Sequence, residues 1–434
     1  MKVIIFASGS DGDIHPHLGI GRELVARGHQ VVFITTFNYV DVARECGFEV
    51  LSFVDQNEKQ NLDRSTESLG AIAKIKRYYR YYSAKTFEVY ELVAGRLDDQ
   101  SILIAPPFAY PVARLLHTKY GTPYVSTVLA PVNLLSRRDP PSIKFMQWYT
   151  ALPYWARKLL FNGTERLLID PFLRMLLKES VRKLDLPMPS RILSEWGYSP
   201  QRVMGLFCDW FSPPPADWPP QITLTGFPLF NPNMGKQMLS AGLSQFLDAG
   251  PAPVVFTAGT GTKDPHAFFE TALKAVQTLG IRGVFLTRLT DQLPPLPDTI
   301  WHESYTSLNL LLPGSSVFVH HGGSGTAALA LSAGIPQLLL PTEEMGQLDN
   351  AHRIERLGCG LVQQNSLDSS SVTKKLQYLL TAPQVRAACR SAQVRMEPGA
   401  KACGRAADVI DETFRSFSKI AALSFIISVV FFSR

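Results

Sequence analysis

A strand, a glycine-bearing loop and a helix follow one another twice in this chain, once at the N-terminus and again after residue 253. The first copy reads Val3 to Ala7 as a buried strand, Ser8–Asp13 as a loop, and about His15 to Ala26 as a helix closed at Gly28. Pro16 suits a first helical turn, where its missing N–H has no partner to lose, and Gly28 suits a C-terminal cap. The second copy reads Val254–Thr257, Ala258–Thr262 and a helix from about Pro265 to Leu279. Short apolar runs between turn residues mark strands buried on both faces. Others fall at Val31–Thr35, Ser101–Ala105, Tyr124–Val128, Gly283–Thr287, Val317–Val319 and Gln337–Leu340. Strands alternating with helices mean doubly wound α/β units. A proline-rich stretch from Phe211 to Pro220 and a surface connection at Asn231–Gly235 separate the two copies. Ligands of such folds gather beyond strand C-termini and between domains, so the cleft between the units is the expected site.

The 434 residues suffice for two or three domains, and 46% hydrophobic content excludes a disordered chain. Lys and Arg number 43 against 37 Asp and Glu, a net +6 without blocks of like charge. That balance permits anionic ligands or membrane surfaces and argues against a nucleic-acid partner. Five scattered cysteines with no metal-like spacing fit a reducing, cytoplasmic setting. From Ile420 to Phe432 the chain is apolar except for Ser424 and Ser428. As a helix this run is about 20 Å long, short of the ~30 Å hydrocarbon core of a bilayer, so a surface anchor or a packed terminal helix is expected. Between Lys74 and Tyr82 cations and tyrosines interleave, as on a surface helix or at a membrane interface.

The segment richest in chemistry is His320-His321-Gly322-Gly323-Ser324-Gly325-Thr326, which follows a strand and opens a helix. A helix N-terminus presents unpaired N–H groups beside roughly half a positive charge. Glycines let phosphate oxygens approach, Ser and Thr add hydroxyl donors, and a histidine adds a ring N–H. The result is a diphosphate cradle without a P-loop lysine; a plain glycine turn with a stacked histidine pair is the structural alternative. A nicotinamide site needs GxGxxG after the first strand and an acid after the second. Gly9-Ser10-Asp11-Gly12-Asp13 lacks that spacing and Ile34-Thr35-Thr36 carries no acid, which argues against a dehydrogenase.

The cradle, with Gly334-Ile335-Pro336, Pro341, Gln347 and Asn350-Ala351 after it, resembles the donor site of GT-B-fold family-one glycosyltransferases. Gly9-Ser10, Gly12-Asp13, Pro16 and Arg27-Gly28-His29 resemble the first domain of that family. Ser199-Pro200-Gln201, Trp210-Phe211, Asp217-Trp218-Pro219 and the run from Thr225 to Phe230 resemble its branch of rhamnosyltransferases of glycolipid synthesis and related bacterial lipid and sterol glycosyltransferases. The likeness covers about residues 1–415. It implies two doubly wound, Rossmann-like α/β domains facing a central cleft. Residues 1–230 would bind the acceptor, 231–250 link, and 251–404 bind the nucleotide sugar. Residues 405–418 would form a terminal helix crossing back to the first domain, with 419–434 as an apolar tail.

Carried over residue by residue, the resemblance makes Asp13 the base that takes a proton from the acceptor hydroxyl, a task suited to a carboxylate; capping of the following helix is its structural alternative. Thr260, His320, His321, Gly322, Gly323, Ser324, Gly325 and Thr326 would bind the diphosphate, with His321 foremost of the histidine pair. Tyr305 stands where relatives stack an aromatic on the nucleobase, with Thr306 beside it. Glu344, Gln347 and Asn350 would face the donor sugar. Leu329 replaces an acid that in many relatives binds ribose, in line with a dTDP-sugar. The family's Asp-Gln pair is broken, because Gly346 precedes Gln347 and one extra residue follows Pro341. The implied reaction is inverting, metal-independent transfer of a hexose of rhamnose or glucose type from a UDP- or dTDP-sugar, a co-substrate rather than a cofactor, to a hydroxyl of a hydrophobic acceptor. The implied place is the cytoplasm, at the inner face of the membrane. A nucleotide-sugar epimerase and a non-catalytic binding subunit of a partner enzyme remain open as other readings.

Overall fold

The computed structural model describes residues 1–52, 71–107, 111–142, 147–232, 238–259, 265–342, 346–364 and 367–432; at 71–76, 78–80, 82, 83, 147 and 420–432 it describes the backbone alone. Two parallel sheets carry the architecture. The first contains β1 (Lys2–Phe6), β2 (Gln30–Thr35), β3 (Glu49–Ser52), β4 (Ser101–Ala105), β5 (Tyr124–Val128), β6 (Arg202–Gly205) and β7 (Ile222–Leu224), in the order β3-β2-β1-β4-β5-β6-β7. The second contains β8 (Val254–Thr257), β9 (Gly283–Leu286), β10 (Ile300–Glu303), β11 (Val317–His320), β12 (Gln337–Leu339) and β13 (Gly360–Val362), in the order β10-β9-β8-β11-β12-β13. In both, the strand that opens the unit lies centrally: Val3 pairs with Val31 and Ile102, and Phe256 with Phe285 and Val319.

Every apolar run read from the sequence is a strand within a residue or two of its expected bounds. The strands not foreseen are β3, β6, β7, β10 and β13, four of them at sheet edges. An edge strand needs few apolar residues because one side is open, so it lacks the continuous run that betrays a central strand.

Helix α1 (Asp11–Ala26) begins four residues before the expected His15. Ser10 is its N-cap, and Pro16 therefore lies in the second turn, where it removes the N–H that would bond to the Gly12 carbonyl. Gly12 is exposed, so that carbonyl stays in contact with solvent.

Further helices include α2 (Tyr154–Thr164), α3 (Asp170–Lys183), α4 (Ser324–Ala333), α5 (Gln347–Arg356) and α6 (Gly399–Phe432). The last of these crosses back to the N-terminal domain. Cys403, before the expected boundary at 405, already lies in the core cluster of α1, β1 and β2, with Ala406, Ala407 and Ile410. Gly19 of α1 permits the approach, since a Cβ there would fall 2.7 Å from Phe230 and 2.9 Å from Cys403. Arg27 ties the contact at its rim, donating to Asp408 (2.7 Å) and Asp411 (3.0 Å), while His29 reaches Asp411 at 2.9 Å. Among the described residues no helix is long and apolar enough to cross a membrane. The cation–tyrosine stretch falls on the helix Ala71–Ala94, with Arg77 exposed and Tyr81 half-buried; the other side chains between Lys74 and Tyr82 lie outside the described residues, as do those of the tail from Ile420.

Because Ile410 is fully buried against α1, Ile410→Ala is expected to cost about 2–5 kcal/mol. A lower urea midpoint would show it; an unchanged midpoint would mean that α6 is no part of the N-terminal core.

Candidate active site

β11 ends by driving His320 into the core. Its side chain is fully buried, its Nε2–H donates to Gln337 Oε1 (2.9 Å), and its Nδ1 accepts the Gly322 N–H (3.1 Å). A backbone N–H can only donate, so Nδ1 is bare and the tautomer is fixed. Burial, reinforced by His321, pushes the His320 pKa down to about 3, so the ring is neutral at pH 7. His320 and Gly322 are therefore corrected: their polar groups satisfy one another and set the turn, leaving neither His320 nitrogen for a ligand. Gly322 holds φ at +96°, and a Cβ there would come 2.8 Å from the Gln347 carbonyl oxygen.

Asn350 and Gln347, expected at the donor sugar, each commit one end of the side-chain amide to the backbone. Asn350 is buried and its Nδ2 donates to the Gly322 carbonyl (3.1 Å), bracing the loop from behind. Gln347 is buried too, and its Oε1 accepts from Thr342 N (2.9 Å) and Oγ1 (2.8 Å). Thr260 and Glu344, with Glu343, lie outside the described residues.

The rest of the cradle stays open. The half-buried His321 ring sits between two glycines, so that a Cβ on Gly259 would lie 2.5 Å, and one on Gly323 2.6 Å, from ring atoms. Gly323 is the N-cap of α4, and the first intrahelical bond runs from Ala327 N–H to the Gly323 carbonyl (2.9 Å). The amides of Ser324, Gly325 and Thr326 thus precede the helical ladder. No acid stands in that turn, and a Cβ on Gly325 would meet nothing within 4 Å. The Ser324 hydroxyl donates across the domains to the Leu129 carbonyl (2.9 Å), just past β5. Thr326 is half-buried.

Tyr305 is exposed, and the Arg288 guanidinium lies over its ring at 5.2 Å; Thr306 is half-buried beside it. Leu329 is half-buried and packs against the cluster of Leu311, Phe318 and Ala330, so its side chain helps close the C-terminal core.

Across the cleft, Asp13 occupies the third residue of α1. Its Oδ2 accepts from the Ser10 N–H (2.9 Å) and hydroxyl (2.9 Å), a reciprocal cap of its own helix. Gly9, at φ +126°, makes the room, since a Cβ there would fall 2.4 Å from that oxygen. Asp13 therefore caps, and its expected place in the Ser8–Asp13 loop is corrected to a first helical turn. Capping does not consume it: the side chain is half-buried and its Oδ1 has no hydrogen bond among the described residues. Beneath it the buried His17 donates Nδ1–H to the Asp13 carbonyl (2.7 Å) and accepts from Thr127 Oγ1 at Nε2 (2.8 Å). Burial lowers the His17 pKa and keeps the ring neutral.

Asp11 accepts from the Tyr39 hydroxyl (2.7 Å). Burial, then Asp11, raises the Tyr39 pKa, and the charge of Arg288 from the C-terminal domain partly offsets them. Arg288 thus stands near both Tyr39 and Tyr305, and α1 meets α4 directly. Tyr39 and Arg288 carry no sequence signal of this role. A second cross-domain cluster was equally invisible. On α5 the buried Arg353 donates to Asp349 (2.7 Å) on its own helix and, in the N-terminal half, to Ser212 Oγ (2.8 Å) and Asp139 (3.2 Å). Asp349 in turn accepts the Ser142 N–H (3.2 Å). Among the described residues no three His, Cys, Asp or Glu side chains are grouped to hold a metal ion.

The neutral His320 has a pH signature. Its folded pKa lies below the unfolded value, so between about pH 6.5 and pH 3 the unfolded chain binds a proton that the native state refuses. Stability is expected to fall as pH falls through that window, by up to about 1.4 kcal/mol per pH unit from this group. His320→Gln should flatten the slope, read as urea midpoints at pH 7 and pH 5; parallel curves for both proteins would assign the loss to other groups.

Residues 283–411 match the family of the erythromycin biosynthesis protein CIII-like C-terminal domain. The sterol 3-beta-glucosyltransferase of Candida albicans is 24% identical over 393 residues, which cover 83% of this chain and 24% of that protein. The chain thus spans about a quarter of the length of the sterol glucosyltransferases it matches. Among solved structures, the kitacinnamycin glycotransferase superposes with a TM-score of 0.72 at 19% identity, over 95% of this chain and 98% of that one. The spinosyn rhamnosyltransferase complexed with thymidine diphosphate superposes with a TM-score of 0.61 at 18% identity, over 92% and 98%. Residues 283–411 thus resemble the EryCIII-like C-terminal domain, and the two Rossmann-like, parallel-sheet domains adopt the GT-B fold of these solved glycosyltransferases.

Proposed function

We propose that the protein is an inverting, metal-independent glycosyltransferase that moves a hexose of rhamnose or glucose type from a UDP- or dTDP-sugar to a hydroxyl of a hydrophobic, lipid-like acceptor. It works in the cytoplasm at the inner face of the membrane. What carries this reading is one juxtaposition: the acid-free N-terminus of α4 and the Asp13-bearing first turn of α1 belong to helices that meet across the two domains. Asp13 Oδ1 takes the proton of the acceptor hydroxyl as the glycosidic oxygen attacks the sugar carbon. On the opposite face the bond to the diphosphate breaks, and negative charge grows on the leaving oxygen. The amides of Ser324, Gly325 and Thr326 and the His321 ring receive that charge, and fixed donors aimed at developing charge lower a barrier. Thr260 adds a hydroxyl from the second loop, Tyr305 and Thr306 hold the nucleobase, and Glu344 reaches the donor sugar. Support for a thymidine nucleotide comes from the spinosyn enzyme bound to thymidine diphosphate, and support for a lipid-like acceptor from the sterol relative.

Asp13→Asn should lower product formation by about 10²–10⁴-fold, followed by mass spectrometry with UDP- and dTDP-sugars against sterol and hydroxyacyl acceptors. Calorimetric affinity for UDP or dTDP should not change. Intact nucleotide binding with no Asp13-dependent transfer would favour a binding subunit, and conversion of the nucleotide sugar without acceptor would favour an epimerase. The cradle has its own test. A Cβ on Gly325 meets nothing within 4 Å, and Gly325→Asp puts a carboxylate into the α4 turn. It should weaken dTDP or UDP binding at least about tenfold, since like charges repel at close range; unchanged affinity would remove α4 from the donor site.

A further inference from the structure

The N-terminal domain carries one long helical rod whose outer face is apolar. Segments of 11, 5 and 14 residues, α2, a π-turn (Glu165–Ile169) and α3, follow one another without a break in helical backbone, about 45 Å in all. Trp155 is 69% exposed, Leu159 68%, Leu167 72% and Leu168 67%, with Phe172 and Met175 continuing the exposure. In an unbroken α-helix, Leu167 and Leu168 would rotate away from Trp155 and Leu159. The extra residue of the π-turn turns the rod back by roughly one residue's rotation, ~100°, and keeps the apolar side chains on one side. Scattered single hydrophobes need no explanation, but a contiguous stripe of this size on a soluble surface marks a contact.

The charges around the stripe say which contact. Residues 154–183 hold seven Lys and Arg against three Asp and Glu. Two of the three acids are buried and spent inward: Glu165 accepts from Ser194 N and Oγ (both 2.8 Å), and Asp170 from Arg191 N (2.7 Å) and Ile192 N (2.8 Å). The third, Glu179, pairs with Lys183 at 3.1 Å. The exposed surface thus sets an indole and aliphatic side chains beside Lys158, Arg166, Lys178 and Arg182, with no unpaired carboxylate. A second copy of this face would meet it with like charge. An amphipathic helix of this composition fits the interface of an anionic bilayer, where apolar side chains enter the acyl boundary and cations meet lipid phosphates.

We propose that the α2–α3 rod docks the enzyme on an anionic lipid bilayer and so presents the cleft to an acceptor resident in that membrane. The membrane role rests on the proposed lipid-like acceptor; the docking surface itself does not. The test uses the full chain with vesicles of phosphatidylcholine containing 30% phosphatidylglycerol and with pure phosphatidylcholine vesicles. Co-sedimentation should favour the anionic vesicles at least tenfold, and raised salt should erase most of that preference. Brominated phosphatidylcholine in the anionic vesicles should quench a component of tryptophan fluorescence that Trp155→Phe removes. The apolar tail cannot mimic this readout, because it contains no tryptophan. A combined Leu159→Ser, Leu168→Ser, Phe172→Ser variant changes only exposed positions; it should keep its thermal midpoint and its transfer to a water-soluble acceptor while losing the Trp155 quenching. Unquenched Trp155 in bound wild-type protein overturns the proposal, as does a wild-type dimer that the triple variant converts to monomer. Loss of transfer to both soluble and vesicle-borne acceptors in the wild type would instead count against the glycosyltransferase reading.

Discussion

A buried guanidinium joins the two halves on which the cleft depends. Arg353, on α5 of the C-terminal domain, divides its N–H groups between Asp349 of its own helix and Ser212 and Asp139 of the other domain. The planar fork of arginine serves three acceptors at fixed angles, which a lysine could not reproduce. Taking one partner from such a buried charge costs about 3–5 kcal/mol, because the remaining charge is left unpaired away from water. The same short helix also supplies Asn350 to the Gly322 carbonyl and Gln347 to Thr342. Ten residues therefore brace the Gly322 loop from behind and bond across the domains.

The central strands were legible in the sequence for a simple reason: both faces of a parallel sheet are covered, and β1, β4 and β8 are nearly uninterrupted apolar runs. Edge strands such as β10, reading Ile-Trp-His-Glu, satisfy one open side with polar residues and leave no such run. Asp11-Gly12-Asp13 reads as loop composition, which hides the start of α1. What makes it helix is a cap, Ser10 with Asp13, together with the left-handed Gly9 that clears space for the carboxylate. Caps are local, but their pairing shows only in three dimensions.

At the site, residue types announced themselves while their directions did not. His320 and His321 are adjacent, and strand geometry sends neighbouring side chains to opposite faces. The last residue of β11 enters the core, and the next lies between the loops of Gly259 and Gly323. Asn350 and Gln347 are both buried, and each gives one end of its amide to the backbone, a direction that residue type alone does not reveal. Asp349 and Arg353 show as an i,i+4 pair on paper, whereas the Asp139 partner lies 214 positions away. Tyr39 and Arg288 are joined only by the closure of two domains. Contacts of that separation leave no periodic trace in one sequence.

Helices α1 and α4 meet across the two domains, and the chemistry of their N-termini is opposite. The first turn of α1 carries Asp11 and Asp13, and Asp13 already accepts from the cap, so much of the positive field there is answered within the helix. The first turn of α4 reads Ser-Gly-Thr behind a glycine cap, without an acid, and Gly325 opens on empty space. Its amides and its share of the helix dipole are left unanswered by the protein. An unsatisfied helix end facing a cleft is stable when an anion completes it. In the proposed reaction, the carboxylate of α1 gives the proton a place to go and the acid-free turn of α4 gives negative charge a place to go. Group transfer to a hydroxyl requires both destinations at once, on opposite sides of the atom transferred.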